Sequence, residues 1–280
     1  MKTLSLLAIR SLMAIRSLMA ISALFAANTA MADMSILVQS TTSTKNSGLY
    51  DYILPMIKAD TGITVNVVAV GTGAAIKNAM NCDGDVLLVH SRQREDKFVA
   101  DGYARQRYDI MYNDFVIIGP AADPAGIAGI TDITSAMTKI AVSKSIFASR
   151  GDDSGTHSKE KSLWKMANID QTAGSGDWYR ETGSGMGATL NAAVGMGAYS
   201  LSDRASWGAH GNKGDFKIMV EGDAHLFNPY GAMLVSAEKC PTVKSKEGQA
   251  FIEWLISKKG QSAIAAFRVN GKQLFFPNAG

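Results

Sequence analysis

The sequence predicts an α/β fold of two lobes facing each other across a cleft, with mixed, mainly parallel sheets and helices on both faces. Three observations carry this expectation. Runs rich in β-branched residues alternate with runs of helical spacing along the chain, the pattern of strands crossed over by helices. Strand candidates number roughly eight to ten, more than one compact sheet usually takes. Several strands empty into Gly-, Ser- and Thr-rich turns that open helices, which is where open α/β sheets bind ligands.

Residues 1–32 read as a leader. Lys2, Arg10 and Arg16 form a positive start, Ser17 to Ala32 is uncharged and mostly apolar, and Ala30-Met31-Ala32 has the form of a cleavage site. The segment Ala8-Ile-Arg-Ser-Leu-Met-Ala repeats at once from Ala14. Sixteen uncharged residues are short for a membrane span. Removing the leader takes away three of the 28 Lys and Arg and none of the 25 Asp and Glu, so the remaining chain is formally neutral. That balance argues against a nucleic-acid partner. No cysteine follows the cleavage site, so a freely diffusing periplasmic form is expected. Cys82 and Cys240 can form one disulfide in an oxidising compartment or remain two isolated thiols, and neither has a neighbour at zinc-ligand spacing.

Along the chain, Met34–Gln39 reads as a strand running into five hydroxyl residues, Ser40 to Thr44. Leu49, Ile53 and Ile57 then recur at helical spacing, with Ser47 as N-cap and Pro55 as a kink or stop. Ile63–Val70 is a strand, Gly71-Thr72-Gly73 a turn and Ala74–Met80 a helix. Asp85–His90 is a buried strand before a charged helix, Gln93–Asp101. Met111–Gly119 is a further strand, and Ile127–Met137 is expected to be helical. Ile140–Ala148 is expected to be the strand feeding Ser149-Arg-Gly-Asp-Asp-Ser-Gly-Thr-His157, with the helix Ser158–Ala167 behind it. A polar loop, Gln171–Asp177, precedes Gly183-Ser-Gly-Met-Gly187 and the helix Ala188–Val194. Ala198–Leu201, Phe216–Val220 and Gly231–Val235 are strands, and Gly248–Ser257 and Gln261–Phe267 are closing helices. Chain crossings near Tyr112–Asp114 and Asn228–Tyr230 would build one lobe from residues 33–112 and 229–280 and the other from 113–228.

Four helix starts concentrate polar donors: Ser40 to Ser43, Gly71 to Gly73, Ser154 to Thr156, and Gly185 to Gly187. The first N–H groups of a helix lack intrahelical partners and the dipole is positive there, so such starts attract anions. A deprotonated oxyanion only accepts hydrogen bonds, and hydroxyls, N–H groups and the forked Arg150 only need to donate. Capping alone would explain any one of these turns; the series points to binding. Arg150 can instead be held by Asp152 or Asp153, and Arg204 in Ser-Asp-Arg is a second candidate cation. Nucleotide binding is weakly supported, because Ile76 occupies the third glycine position of G-x-G-x-x-G and no P-loop occurs. A hydrolase would pair Ser154 with a histidine such as His157, but no G-x-S-x-G elbow is present.

Eight segments in order carry a family resemblance: Ser40-Thr-Thr-Ser-Thr, Val70-Gly-Thr-Gly, Asp85-Val-Leu-Leu-Val-His, Met111-Tyr-Asn-Asp-Phe, Ser149-Arg-Gly-Asp-Asp-Ser-Gly-Thr-His, Gly185-Met-Gly-Ala-Thr-Leu, Leu201-Ser-Asp-Arg and Asn228-Pro-Tyr. Together they resemble the substrate-binding protein of the ABC-type tungstate transporter, from about Ser35 to Phe267. The resemblance implies a periplasmic binding protein of two α/β lobes joined by two crossover strands, closing on one tetrahedral oxyanion, tungstate or molybdate. It implies a monomer without cofactor or catalysis that presents its anion to an ABC permease in the inner membrane. Matching the motifs places anion contacts on Thr41, Thr42, Ser43, Thr72, Gly73, Arg150, Ser154, Gly155 and Thr156, with Met186, Gly187 and Arg204 as further candidates. Phosphate is the alternative anion, since the phosphate-binding proteins are similar in using an Arg with a Ser-Gly-Thr turn, and Asp153 would supply the acceptor that protonated phosphate needs. A secreted phosphate or sulfate ester hydrolase is the alternative of another class.

Overall fold

A strand of 12 residues, β4 (Tyr108–Gly119), runs through both halves of the structure. The computed structural model describes residues 34–279, so the leader and its cleavage site lie outside the described residues. In the first half, β1 (Ser35–Thr41) lies parallel between β2 (Thr64–Val70) and β3 (Val86–Val89). Next to β3 runs β9 (Phe227–Leu234), antiparallel to it and to the first part of β4. In the second half, the last part of β4 pairs antiparallel with β7 (Ser200–Asp203) and β8 (Lys217–Val220). A short parallel pair, β5 (Phe147–Ser149) and β6 (Tyr179–Glu181), joins this half as the Ala148 N–H donates to the Tyr199 carbonyl and the Tyr199 N–H to the Ile146 carbonyl. Short strands β10 (Arg268–Val269), β11 (Lys272–Gln273) and β12 (Phe276–Pro277) close the chain, β12 pairing with β4.

Strand periodicity sorts the core onto both faces of each half. Val86 and Leu88 enter one cluster with Ile53, Ile57 and Phe251, beneath α2 (Leu49–Thr61), α9 (Ser245–Ile256) and α10 (Lys258–Ala266). Leu87 and Val89 enter another with Ala75, Ala79 and Phe98, beneath α3 (Thr72–Met80) and α4 (Arg92–Ala100). In β4, Phe115 and Ile117 face α5 (Ile133–Val142) and α6 (Gly155–Met166), whereas Val116 and Ile118 face α7 (Met186–Met196) and α8 (Arg204–Ala209). Successive residues of a strand point to opposite faces, so apolar runs such as Val-Leu-Leu-Val are what a doubly covered strand needs.

Several expectations change. The sheet is mixed, but its antiparallel share is larger than alternating strands and helices suggested, because β4 and β9 return through the middle of it. The helix expected over Ile127–Met137 lies at Ile133–Val142, capped by Asp132, which accepts from the Thr134 N–H at 2.9 Å. Asp123 holds Ile127 and Ala128 in a turn instead. The long strand Ile140–Ala148 therefore shrinks to β5, after a turn in which Lys144 takes φ 50°. Ser47 closes the short helix α1 (Thr42–Asn46) rather than opening α2, and Gly48 supplies the left-handed residue between them. Pro55 sits inside α2 without ending it. Cys82 and Cys240 are joined by a disulfide with Cα atoms 5.2 Å apart, a separation that suits the bond.

One buried carboxylate anchors the strand that carries Arg150. Glu160 on α6 accepts hydrogen bonds from Ser149 Oγ (2.7 Å), Tyr179 OH (2.8 Å) and Trp164 Nε1 (3.2 Å). Burial pushes its carboxyl up to about 7 despite those donors. The folded state thus holds more protons than the unfolded state between about 4.5 and 7, and stability from this group declines as pH rises through that window. Glu160→Gln keeps the shape and should flatten this decline by ~3 kcal/mol. Urea unfolding of parent and variant at pH 5 and pH 8 measures it; an unchanged pH dependence would contradict the assignment.

Candidate oxyanion site

Each helix start is shaped by its own residues. Thr41 caps α1, and its Oγ1 lies 2.7 Å from Thr44 Oγ1 and 3.1 Å from Ser43 Oγ. Gly71 and Gly185 cap α3 and α7 in extended conformation with no side chain to occupy the first N–H groups. Ser154 caps α6, its Oγ accepting the His157 N–H at 3.1 Å. A hydroxyl that accepts in this way keeps its own proton to donate elsewhere. Ser40 differs: its Oγ is bonded to the Leu88 carbonyl (2.8 Å) and to Tyr50 OH (2.5 Å), inside the core.

The turns from the two halves meet directly. The Gly155 N–H donates to Thr72 Oγ1 at 2.9 Å. Arg94 on α4 reaches Asp153, with Nη2 to Oδ1 at 2.5 Å and Nη1 to the carbonyl at 3.0 Å. A Cβ at Gly73 would run into the Asp153 carboxylate, and one at Gly155 into the Thr72 hydroxyl. Glycine at these two positions is what lets the turns close. The start of α7 joins the group, since Ser184 N–H donates to the Arg150 carbonyl (3.1 Å) and Gly185 faces Thr42 Oγ1.

Within this meeting place, donors lack acceptors. Thr42 Oγ1, Arg150 Nε and Thr156 Oγ1 are buried and have no hydrogen-bond partner among the described residues. An unsatisfied buried donor costs about 1–3 kcal/mol, so three at sequence-predicted positions imply a ligand rich in acceptors. Arg150 is only 3% exposed, and its Nη2 donates to Asp152 Oδ2 at 2.5 Å. Asp152 Oδ1 also accepts the Ser154 N–H, at 3.2 Å. Both aspartates are therefore occupied, Asp152 by Arg150 and Asp153 by Arg94. Hydrogen bonding from Arg94 holds the Asp153 carboxyl below its usual range.

Two further candidates are placed differently from the rest. The Arg204 fork is taken by Asp114 (2.6 Å from both Nε and Nη2) and Glu221 (2.7 Å). It lies on the wall of a separate cavity of about 920 Å³ shared with Tyr112, Phe227 and Phe276, so it serves as an ion pair away from the other donors. The Met186 side chain is packed in the apolar cluster with Leu190 and Trp207, which leaves only its main chain for a contact, and the side of Gly187 where a Cβ would sit meets Asn46 of α1.

Sequence reasoning missed the polar layer beneath the site. His90, at the end of the β3 run, has Nε2 2.9 Å from Ser43 Oγ and Nδ1 3.1 Å from Asn228 Oδ1. Asn228 Nδ2 donates to Asn113 Oδ1 at 2.6 Å, and Asn113 Nδ2 to Asp203 Oδ1 at 3.4 Å. The one signal available was a histidine at the carboxyl end of a wholly apolar strand.

Closure of paired turns over unsatisfied donors defines a solute-binding protein, and residues 26–259 match the PBP superfamily domain. The chain is 44% identical over 249 residues to the tungstate-binding protein TupA of Peptoclostridium acidaminophilum, covering 88% of this chain and 86% of that one. Two solved structures are also similar. The tungstate-binding protein TupA from Desulfovibrio alaskensis G20 shares 45% identity at TM-score 0.74, over 88% of this chain and 99% of that one. The tungstate ABC transporter structure from Geobacter sulfurreducens shares 43% identity at TM-score 0.77, over 84% of this chain and 100% of that one. This chain belongs to the family of tungstate-binding proteins of ABC transporters.

Thr156→Val tests the unsatisfied donors while conserving shape. Oxyanion affinity should fall by about 1–3 kcal/mol, whereas the melting temperature of the anion-free protein should hold or rise. Equal affinity in a calorimetric titration would remove Thr156 from the site.

Proposed function

We propose that this protein captures tungstate, with molybdate as a close competitor, and hands it to the membrane permease of an ABC transporter. The observation that carries this reading is the set of buried donors without acceptors, Thr42 Oγ1, Arg150 Nε and Thr156 Oγ1. Thr72 and Ser154 add hydroxyl protons, because both oxygens already act as acceptors. In this reading Thr41 and Ser43 shape the first turn, and main-chain N–H groups of Gly73, Met186 and Gly187 complete a donor-only cage, while the Gly155 N–H, a contact expected from the sequence, is instead held by Thr72 Oγ1. Tungstate and molybdate are fully deprotonated acceptors of nearly equal size, so such a cage suits both. Phosphate, which carries a proton, needs an acceptor, and the nearby carboxylates Asp152 and Asp153 are spent on Arg150 and Arg94.

A hydrolase is not supported by the same geometry. Ser154 Oγ serves as a helix cap, and His157 directs Nδ1 at the Asp153 N–H and Nε2 toward Glu181, 3.9 Å away. Among the described residues, no side-chain base is hydrogen-bonded to Ser154 Oγ. The lobes of this reading comprise 33–112 with 229–280 and 113–228, with β4 and β9 as the crossovers. Export under a leader cleaved near Ala32 would deliver a monomer to the periplasm, where the family operates.

Calorimetric titration with tungstate, molybdate, sulfate and phosphate in turn tests the assignment. Tight one-to-one binding of tungstate and molybdate is expected, weaker binding of the smaller sulfate, and the weakest of phosphate. Arg150→Ala should cost about 2–5 kcal/mol of that affinity, since Asp152 and the anion both lose their buried partner. Tight phosphate binding without tungstate binding would overturn the reading.

A further inference from the structure

The polar layer beneath the site has a direction set by its far end. Asp203 is fully buried and, as a carboxylate, only accepts. Its Oδ1 accepts the Ser206 N–H (2.9 Å) and Asn113 Nδ2 (3.4 Å), which orients the Asn113 amide with Oδ1 toward Asn228. Asn228 Nδ2 donates to that oxygen, so Asn228 Oδ1 faces His90 and accepts from it. His90 Nδ1 must therefore carry a proton. In a neutral ring Nε2 is then the acceptor, and Ser43 donates its hydroxyl proton to it across 2.9 Å. A serine with its proton spent in this way offers only lone pairs to an anion.

We propose that His90 takes up a proton from solvent as the oxyanion docks, turning Ser43 from a spent hydroxyl into a donor. The proposal rests on the tungstate reading of the site. With both ring nitrogens protonated, Nε2–H donates to Ser43 Oγ and the Ser43 proton is released toward Thr41 and the anion. His90 acts through Ser43 and is a positioning residue. The added charge also answers two imbalances. Arg150 is already matched by Asp152, so a dianion otherwise finds only helix ends to offset it. Asp203 Oδ2 is buried with no partner, so a cation along this layer is favoured electrostatically.

The groups around His90 favour a neutral ring in the absence of the anion. Burial holds the imidazole below its usual value, the Asp203 charge and the Asn228 hydrogen bond draw it back up, and the Arg150 charge lowers it. Tyr230 stacks on the ring with centroids 4.7 Å apart, Phe115 lies at 6.3 Å, and Gly155 closes the remaining side. A dianion beside Arg150 cancels the one opposing cation and adds attraction of its own. The bound state then holds more protons than the free state, so affinity rises as pH falls across the window between the two titrations of His90.

Tungstate titrations of the purified protein between about pH 6 and pH 9, a range that starts near the ordinary imidazole value, in buffers of different ionisation enthalpy, read the proton count directly. Uptake approaching one proton per anion is expected, with the association constant falling toward tenfold per pH unit in the window. His90→Gln should abolish the uptake and flatten the profile. Nitrogen-15 NMR of the parent's imidazole provides a second readout that needs no variant. It should show one protonated ring nitrogen before tungstate is added and two after. Tungstate binding with no proton uptake, or uptake that persists in His90→Gln, would overturn the proposal while leaving the site assignment intact. Failure of the parent to bind tungstate would overturn the site assignment itself.

Discussion

Three buried hydrogen-bond donors without acceptors, on Thr42, Arg150 and Thr156, are the constraint around which the rest of this structure makes sense. Proteins seldom bury donors unpaired, because each loses its water without compensation. Among the described residues, three such donors lie where two halves of the fold bring helix starts together. An acceptor-only ligand offsets the whole deficit at once. The same donors would give little to a ligand that must itself donate, so in the proposed reading they also select among anions.

The supporting structure keeps those donors in place and keeps competing acceptors away. Glu160, held by three donors, ties the end of β5 to α6 and so positions Arg150. Asp152 holds the Arg150 fork from one side and leaves Nε uncommitted. Across the closure, Arg94 neutralises Asp153, the other carboxylate that could have repelled an anion. Thr72 receives the Gly155 N–H, a contact that the missing side chain of Gly155 permits. Charge balance and closure thus come from the same few residues.

Much of this was legible in sequence because it is local. Hydroxyl and glycine runs at strand ends name their own helix starts, and Arg150 sits within six residues of the cap it serves. The apolar runs of β3 and β4 likewise announced strands covered on both faces. What stayed hidden depends on long-range pairing. Asn113 and Asn228 stand opposite each other only because β4 and β9 pair in register, and that contact brings Asp203 into connection with His90. The ion pairs of Arg204 with Asp114 and Glu221 are long-range as well, and they turn a plausible ligand cation into a fixture of a neighbouring cavity. The displaced α5 is a local error of a different kind. Its apolar run suits a strand or a helix equally, and the Asp132 cap decided the outcome.

The central claim is most directly tested by a crystal structure of the tungstate-soaked protein, with anomalous scattering recorded at the tungsten edge. The account predicts one strong peak between the two halves. Its oxo groups should lie within hydrogen-bond distance of Thr42 Oγ1, Arg150 Nε and Thr156 Oγ1. A peak in the cavity beside Arg204, or a bound anion that leaves those three atoms still without partners, would contradict it.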